Sequence, residues 1–350
     1  VDVRCWTYGK SIEELCPSDL RGEYDSLKKE YFSILRSFTA AKIDTSRIRL
    51  VDYFPVRFKS EWEDVNSQIL DYVLEKYPKP SRYDELLSIQ ECLTEMESKP
   101  LNIKKEKLKP HFAKAPARRF YKKLDILKPS VKYNMWGTVT GRLTTESGYF
   151  PILTMNKEFR DILEPNNDWF IELDFNSAEL RVAFYLMGHQ QPKEDIHNWI
   201  KDNVYRTKIT RDRLKAKTFA WLYNPDAENH RLESILDKKK ISASHYASGC
   251  VETPFEREIE APPEKALNYL IQSTTSDLFL RQMVKVHKLL EDRKSYVAFC
   301  VHDSLVLDFK HEDKKLLRDI LDVFKSTEFG EFKINMSAGI NYGNLKEITI

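Results

Sequence analysis

The chain has 350 residues, 41% hydrophobic and 31% charged, with a formal net charge of +2, so it can bury a large core in two or three structural units and its charge singles out no partner. Cys5, Cys16, Cys92, Cys250 and Cys300 are scattered without a C-x-x-C pair, which argues against a zinc site or disulfide scaffold and fits a reducing compartment. No signal peptide or long apolar run occurs, so we expect a soluble, intracellular protein with no membrane association; the first residue is Val, so further residues are expected upstream.

Residues 1–100 read as mainly helical, with segments at 24–38, 61–77 and 83–97. In the second, Trp62, Val65, Ile69, Tyr72 and Val73 form one apolar stripe, and Pro78 and Pro80 end it. This part carries no recognisable chemistry, and no set of acidic motifs for an exonuclease. Residues 104–132 then turn strongly basic. Lys104, Lys105, Lys107, Lys109, Lys114, Arg118, Arg119, Lys122, Lys123, Lys128 and Lys132 face Glu106 and Asp125, with Phe112, Phe120 and Tyr121 interleaved. Such a run can track a phosphate backbone, or it can be a solvated face.

The stretch WGTVTGRLTT (136–145) reads as a loop. Gly137 and Gly141 permit turns, and Arg142 can donate to a phosphate or a base edge, as can many loop arginines. In DWFIELDFNSAELRVAFYLMG (168–188), Trp169, Ile171, Leu173 and Phe175 alternate as in a buried strand, which then runs into a helix. Asp174 falls near the strand's end, where a carboxylate reaches solvent or a cation; it can also simply start the helix. Glu179 lies five residues on.

In TRDRLKAKTFAWLYNP (210–225), Thr210 is an acceptable N-cap and Pro225 a stop. Arg211, Lys215, Phe219 and Tyr223 recur every fourth residue, so they line one helical face. Two cations followed by two rings suit a triphosphate and a base, although an ordinary amphipathic helix has the same pattern. Residues 266–290 read as a long helix with Asn268 and Gln272 one turn apart, able to touch a minor groove or merely water. Finally, YVAFCVHDSLVLDF (296–309) reads as a hairpin with His302 and Asp303 at its tip. Two carboxylates at sheet ends suit Mg²⁺, and a pair of such ions can stabilise the attacking and leaving oxygens of a phosphoryl transfer.

In this order the motifs resemble the polymerase domain of family A DNA polymerases, the group that includes bacterial polymerase I and many phage replicative enzymes. The resemblance runs over residues 136–345. TVTGRL matches the loop before the palm, LDFNSAELR the first palm motif, and DIH (195–197) the segment before the fingers. RDRLKAKTFAWLY matches the fingers helix, GCVET the following strand, LNYLIQSTTSD the helix feeding the third motif, VHDSLVL that motif, and GINYGNL the closing strand.

The resemblance implies an α+β right-hand fold of phage type with an antiparallel palm sheet: a helical region of unknown role (1–102), a basic thumb-like region (103–146), a palm (147–188 and 262–350) and shortened fingers (189–261). It implies template-directed addition of dNTPs to a DNA primer by a monomer, with two Mg²⁺ ions or Mn²⁺ as substitute, in a bacterial or phage-infected cytoplasm. Asp174 and Asp303 would hold the metals, and Glu179 would exclude a ribose 2′-hydroxyl. Arg211 and Lys215 would bind the triphosphate, Lys215 also protonating pyrophosphate. Phe219, Tyr223 and His197 would complete the nucleotide pocket, and Arg142, Asn268, Gln272 and His302 would touch DNA. The chain departs from the family at Ser304, where an acid commonly follows the third-motif Asp, at Ser177, where Gln is usual, at Ala220 and Asn224, where Gly is usual, and at Glu264, where a basic residue would contact DNA. Tyr223 and Asn268 are 45 positions apart, which implies compact fingers. Two alternatives share the motifs: a single-subunit RNA polymerase, against which Glu179 argues, and a non-catalytic nucleic-acid-binding module, against which the intact Asp174, Asp303, Arg211 and Lys215 argue.

Overall fold

The computed structural model describes residues 1–43, 50–206 and 208–349. These fall into two compact units divided between Leu87 and Ser88. In the first, helices α1 (Ser18–Ala40) and α2 (Val56–Lys76) share a core in which Tyr24 and Leu27 meet Phe58, Val65, Ile69 and Val73. Both helices start earlier than their apolar periodicity does, directly after Pro17 and Pro55, which sit at the capping positions where a missing N–H costs nothing. Trp62 stacks between Tyr24 and Tyr31, with centroids 5.7 and 5.8 Å away. The unit boundary lies within α3 (Tyr83–Ser98).

The second unit is built on a five-stranded antiparallel sheet. Its strands are β1 (Trp169–Phe175), β4 (Tyr296–Val301), β5 (Ser304–Phe309), β6 (Ile334–Gly339) and β7 (Lys346–Glu347), in the order β7-β6-β1-β5-β4. Ile171, Leu173 and Phe175 are buried as the alternation predicts, whereas Trp169 is 45% exposed, because it lies at the open end of the strand, at the last register pair with β5. The GINYGNL segment is mainly turn; the closing strand β6 ends at its first residue, Gly339.

Helix α9 (Pro263–Leu289) and helix α10 (Leu317–Lys325) cover the sheet. Phe324 of α10 stacks on Phe175 at 4.5 Å and meets Phe279 of α9 edge-on at 6.4 Å. Buried Gln282 of α9 donates to the Val323, Phe324 and Ser326 carbonyls at 2.8, 3.1 and 2.8 Å, satisfying acceptors that the end of α10 leaves open.

Between β1 and α9 the chain forms α5 (Ala178–Leu186), α6 (Ile196–Ile200), α7 (Arg211–Tyr223), α8 (Lys238–His245) and a ribbon of β2 (Cys250–Glu252) with β3 (Glu258–Glu260). One apolar core ties α5, α6 and α7 to α9: Leu180 and Phe184 from α5, Ile196 and Ile200 from α6, Leu214, Trp221 and Leu222 from α7, and Ile271 from α9. That core fixes the α7 face carrying Arg211 and Lys215.

Helix α4 (Ala115–Lys123) lies in the basic stretch, which the fold neutralises further than its sequence implies. Lys105 pairs with Asp125 and Lys109 with Glu106, but Lys114 pairs with Glu158, Lys107 with Glu164 at 2.7 Å, and Lys132 with Glu97 at 3.5 Å. Among the described residues, Lys104, Arg118, Arg119, Lys122, Lys123 and Lys128 form no ion pair and leave a smaller exposed basic face. No described helix is long and apolar enough to cross a membrane.

Candidate active site

Asp174 is the penultimate residue of the central strand, paired with Ser304 on β5 and Asn335 on β6. Asn335 Nδ2 donates to Asp174 Oδ2 at 3.2 Å. Burial nevertheless lifts the Asp174 pKa to about 6; Glu172 adds to the rise, and Asn335 and the Lys215 charge oppose it.

Asp303 follows His302 in the turn between β4 and β5, so the Ser304–Asp174 register brings it to the same sheet end as Asp174. Burial raises its pKa to about 6 as well, with Glu179 and Asp174 adding and Arg142 opposing. His302 (φ 57°) and Ser177 (φ 55°) both hold left-handed backbone without being glycine. Such residues cost about 1–3 kcal/mol each and gather where geometry serves a site.

Glu179 stands in the first turn of α5 and is ion-paired with Arg142, whose guanidinium comes from the 136–145 loop. That loop depends on Gly141. Its φ is +72°, and an added Cβ would lie 2.7 Å from the Arg257 guanidinium, which buried Asp277 of α9 grips at 3.0 and 2.6 Å. Gly141→Ala should therefore cost about 1–2 kcal/mol or more. Gly22→Ala, in α1 with nothing within 4 Å of the new Cβ, should instead gain about 0.5–1 kcal/mol. Chemical denaturation of the two variants checks the contrast; equal effects would contradict it.

On α7, Thr210 occupies the N-cap position without a side-chain cap bond. Arg211 Nε and Nη2 both donate to Asp195 Oδ2, at 3.0 and 2.6 Å. Asp195 in turn caps α6, accepting from the His197 and Asn198 amides at 3.0 Å each, and takes a bond from Asn176 Nδ2 at 2.9 Å. Burial pushes the Asp195 carboxyl up, but these donors outweigh it and hold it well below the usual range. Fully buried Arg181 secures the whole arrangement, donating to the Asn176, Pro192 and Glu194 carbonyls at 2.9, 2.8 and 2.8 Å.

Lys215, one turn beyond Arg211, is exposed, and its charge reaches Asp174. Phe219 stacks on Tyr223 at 6.1 Å and meets the His197 ring edge-on at 5.8 Å. His197 is buried, its Nε2 lies 2.9 Å from Ser177 Oγ, and burial lowers its pKa to about 4, so at neutral pH it is an uncharged partner. Burial and Glu179 push the Tyr223 hydroxyl pKa upward, yet the buried hydroxyl forms no well-made hydrogen bond.

The fold thus puts Asp303 within electrostatic reach of Asp174, Glu179, Arg142 and Tyr223, and Lys215 within reach of Asp174. Asn268 and Gln272 stand together on α9, hydrogen-bonded to each other. His302 is exposed beside Arg142, Arg160 and Lys157, and desolvation and these cations lower its pKa. Sequence reading gave no role to Asn176, Arg181 or Asp195; their signal was a buried-type apolar helix containing an arginine and, at Asp195, an acid just before a short apolar run.

No described trio of His, Cys, Asp and Glu assembles a closed metal cage. Two carboxylates at a sheet end nevertheless fit Mg²⁺, which keeps water and takes phosphate oxygens to complete its shell. Their raised pKa values fit too: burial disfavours both charges, and Lys215 and Arg142 offset it only in part.

No family model matches the chain. It is 21% identical over 281 residues to DNA polymerase I of Chloroflexus aurantiacus, covering 62% of this chain and 29% of that protein. It is also 25% identical over 246 residues to the thermostable DNA polymerase I of Thermus filiformis, covering 55% of this chain and 30% of the relative. For Thermus aquaticus the values are 26% over 234 residues, 52% and 28%. The chain therefore spans under a third of the length of these relatives. Among solved structures it matches the POL domain of Pol1 from M. smegmatis in complex with DNA primer-template and dNTP, with a TM-score of 0.65 at 14% identity, covering 81% of this chain and 74% of that one. In fold, then, the chain matches a DNA polymerase I polymerase domain, and in sequence it is distantly similar to family A DNA polymerases of that kind.

Proposed function

We propose that this chain carries out template-directed DNA synthesis, adding dNTPs to the 3′ end of a DNA primer. The observation that supports this best is the meeting of Asp174 and Asp303 at one sheet end, faced by Lys215 and with Arg211 a turn away on the same helix. In this reading residues 147–188 and 262–350 form the palm, 189–261 the fingers, and 103–146 a thumb-like region whose remaining exposed cations follow the duplex backbone.

Asp174 and Asp303 would hold the Mg²⁺ ions. Bound there, the metal supplies charge neutralisation and a more acidic primer hydroxyl. Arg211, oriented by Asp195, binds triphosphate oxygens through a fixed guanidinium, and Lys215 reaches the leaving group. Phe219 and Tyr223 offer ring faces to the incoming base and sugar. Arg142, His302, Asn268 and Gln272 line the approach of primer and template, where polar contacts can check pair shape without reading sequence.

Glu179 distinguishes a DNA from an RNA polymerase. Its side chain is largely buried and held by Arg142, so it cannot swing away cheaply to admit a 2′-hydroxyl. Primer extension on a defined template with Mg²⁺, comparing dNTPs with rNTPs, tests the proposal. Wild type should extend with dNTPs, and Glu179→Ala should raise the rNTP/dNTP ratio by about tenfold or more, the scale on which a pocket discriminates one small group. An unchanged ratio would remove the gate, and absence of dNTP extension with primer-template still bound would favour a non-catalytic module.

A further inference from the structure

One carboxylate at the sheet end has no part in the roles above. Glu172 precedes Asp174 by two residues on β1, so strand alternation puts both on the same face. Phe170, two residues earlier on the same face, is buried, a setting in which a glutamate is costly and poorly suited to a strand. Glu172 is half-buried, and among the described residues no ion pair includes it. With Asp174 and Asp303 it makes a third carboxylate at this sheet end, where Arg142 is already paired with Glu179.

Two groups hold Glu172 where it stands. Ser304 Oγ, on the neighbouring strand and paired in register with Asp174, donates to Glu172 Oε1 at 2.7 Å. From the other side comes Tyr342, only 3% exposed, with the Arg160 guanidinium 4.6 Å from its ring centre. Its hydroxyl is directed at Glu172, with Asp174 beyond it, but forms no well-made hydrogen bond. A buried hydroxyl without a well-made bond, beside carboxylates that Lys215 and Arg142 only partly offset, marks a place for a further polar species. A hydrated divalent cation satisfies both: its charge offsets the carboxylates, and its water gives the hydroxyl a partner.

Resting on the polymerase reading of Asp174 and Asp303, we propose that Glu172 is a third carboxylate of the cation site, a positioning residue that holds cation-bound water while Ser304 and Tyr342 orient it. Ser304 follows Asp303 directly and is a donor rather than an acid, so the negative charge on this side of the site comes from the adjacent strand. Outer partners of this kind typically change metal affinity by about 10–100-fold.

The test is titration of Mn²⁺ into the whole chain, without DNA or nucleotide, followed by electron paramagnetic resonance of free Mn²⁺. Glu172→Gln, almost isosteric, should weaken Mn²⁺ binding about tenfold with the thermal midpoint unimpaired. Primer extension by the same variant should need about tenfold more Mg²⁺ for half-maximal rate and recover at saturating Mg²⁺, with the dNTP KM unchanged. Ser304→Ala, which keeps the carboxylate but frees it, should move both readouts in the same direction by less. Asp303→Asn serves as the reference. If it weakens Mn²⁺ binding while Glu172→Gln does not, the assignment of Glu172 is overturned and the metal reading stands; if neither does, both fall. A lower rate for Glu172→Gln at every Mg²⁺ concentration, with unchanged Mn²⁺ affinity, would make Glu172 a packing residue and also overturn the proposal.

Discussion

Asp303→Asn should lower template-directed extension by roughly a thousandfold or more, and it should stabilise the metal-free protein at the same time. The first effect follows if the carboxylate holds a metal that contributes several kcal/mol to the transition state, each 1.4 kcal/mol being tenfold in rate. The second follows from burial. Asp303 and Asp174 both have pKa values raised to about 6, so at neutral pH the folded protein carries charges that the unfolded chain hydrates better. The sign is fixed by linkage: a carboxyl whose folded pKa lies above its unfolded one binds more protons when folded, so its contribution is most favourable at acid pH. Stability is lost as pH rises from about 4 to about 6 and is level above that. The size is roughly 1–3 kcal/mol for one carboxyl, and because the two interact, relieving one relieves part of the other.

The useful quantity is the difference between Asp303→Asn and wild type in the presence of a chelator. Other groups, Asp195 among them, titrate the opposite way and cancel in that difference. Denaturant midpoints should nearly coincide at pH 4 and separate by pH 7, with the variant more stable. Added Mg²⁺ should stabilise wild type more than the variant, because only a state that binds the ion gains from it. A variant that is both inactive and less stable at pH 7 would mean that Asp303 is a structural residue.

Much of this site was legible in the sequence because its residues sit on periodic elements. Asp174 ends an alternating strand, Asp303 lies between two apolar runs, and Arg211, Lys215, Phe219 and Tyr223 share a helix face whatever that helix packs against. What sequence could not supply is pairing at long range. Nothing local links Arg142 to Glu179, Arg211 to Asp195 or Ser304 to Glu172. The basic stretch shows the same limit: its carboxylate partners Glu158, Glu164 and Glu97 lie outside the window that made it look uncompensated. Glu172 was hidden for a different reason. In a strand read by its apolar positions, a polar residue between them counts as the solvent face, and here that face is the site.

Lys215→Ala should slow the chemical step in a single turnover by about 10²–10⁴, the range for a general acid, while primer-template affinity changes little. In the proposed reaction Arg211 and Lys215 of α7 have different duties. Arg211 is fixed by two bonds to Asp195, which orients its guanidinium but shares its charge, and a guanidinium cannot give up its proton at working pH. Lys215 forms no ion pair among the described residues, is exposed, and lies close enough for its charge to act on Asp174, so it can follow a leaving phosphate and donate a proton to it. Lys215→Arg separates charge from proton transfer: it should restore dNTP binding lost in the alanine variant yet leave most of the rate deficit. Nucleotide analogues whose leaving bisphosphonate is more acidic should narrow the gap between wild type and Lys215→Ala, because a better leaving group needs less help. Equal losses in rate and DNA affinity, or a gap indifferent to the leaving group, would reduce Lys215 to an electrostatic contact and place the proton donor elsewhere, with solvent the first alternative.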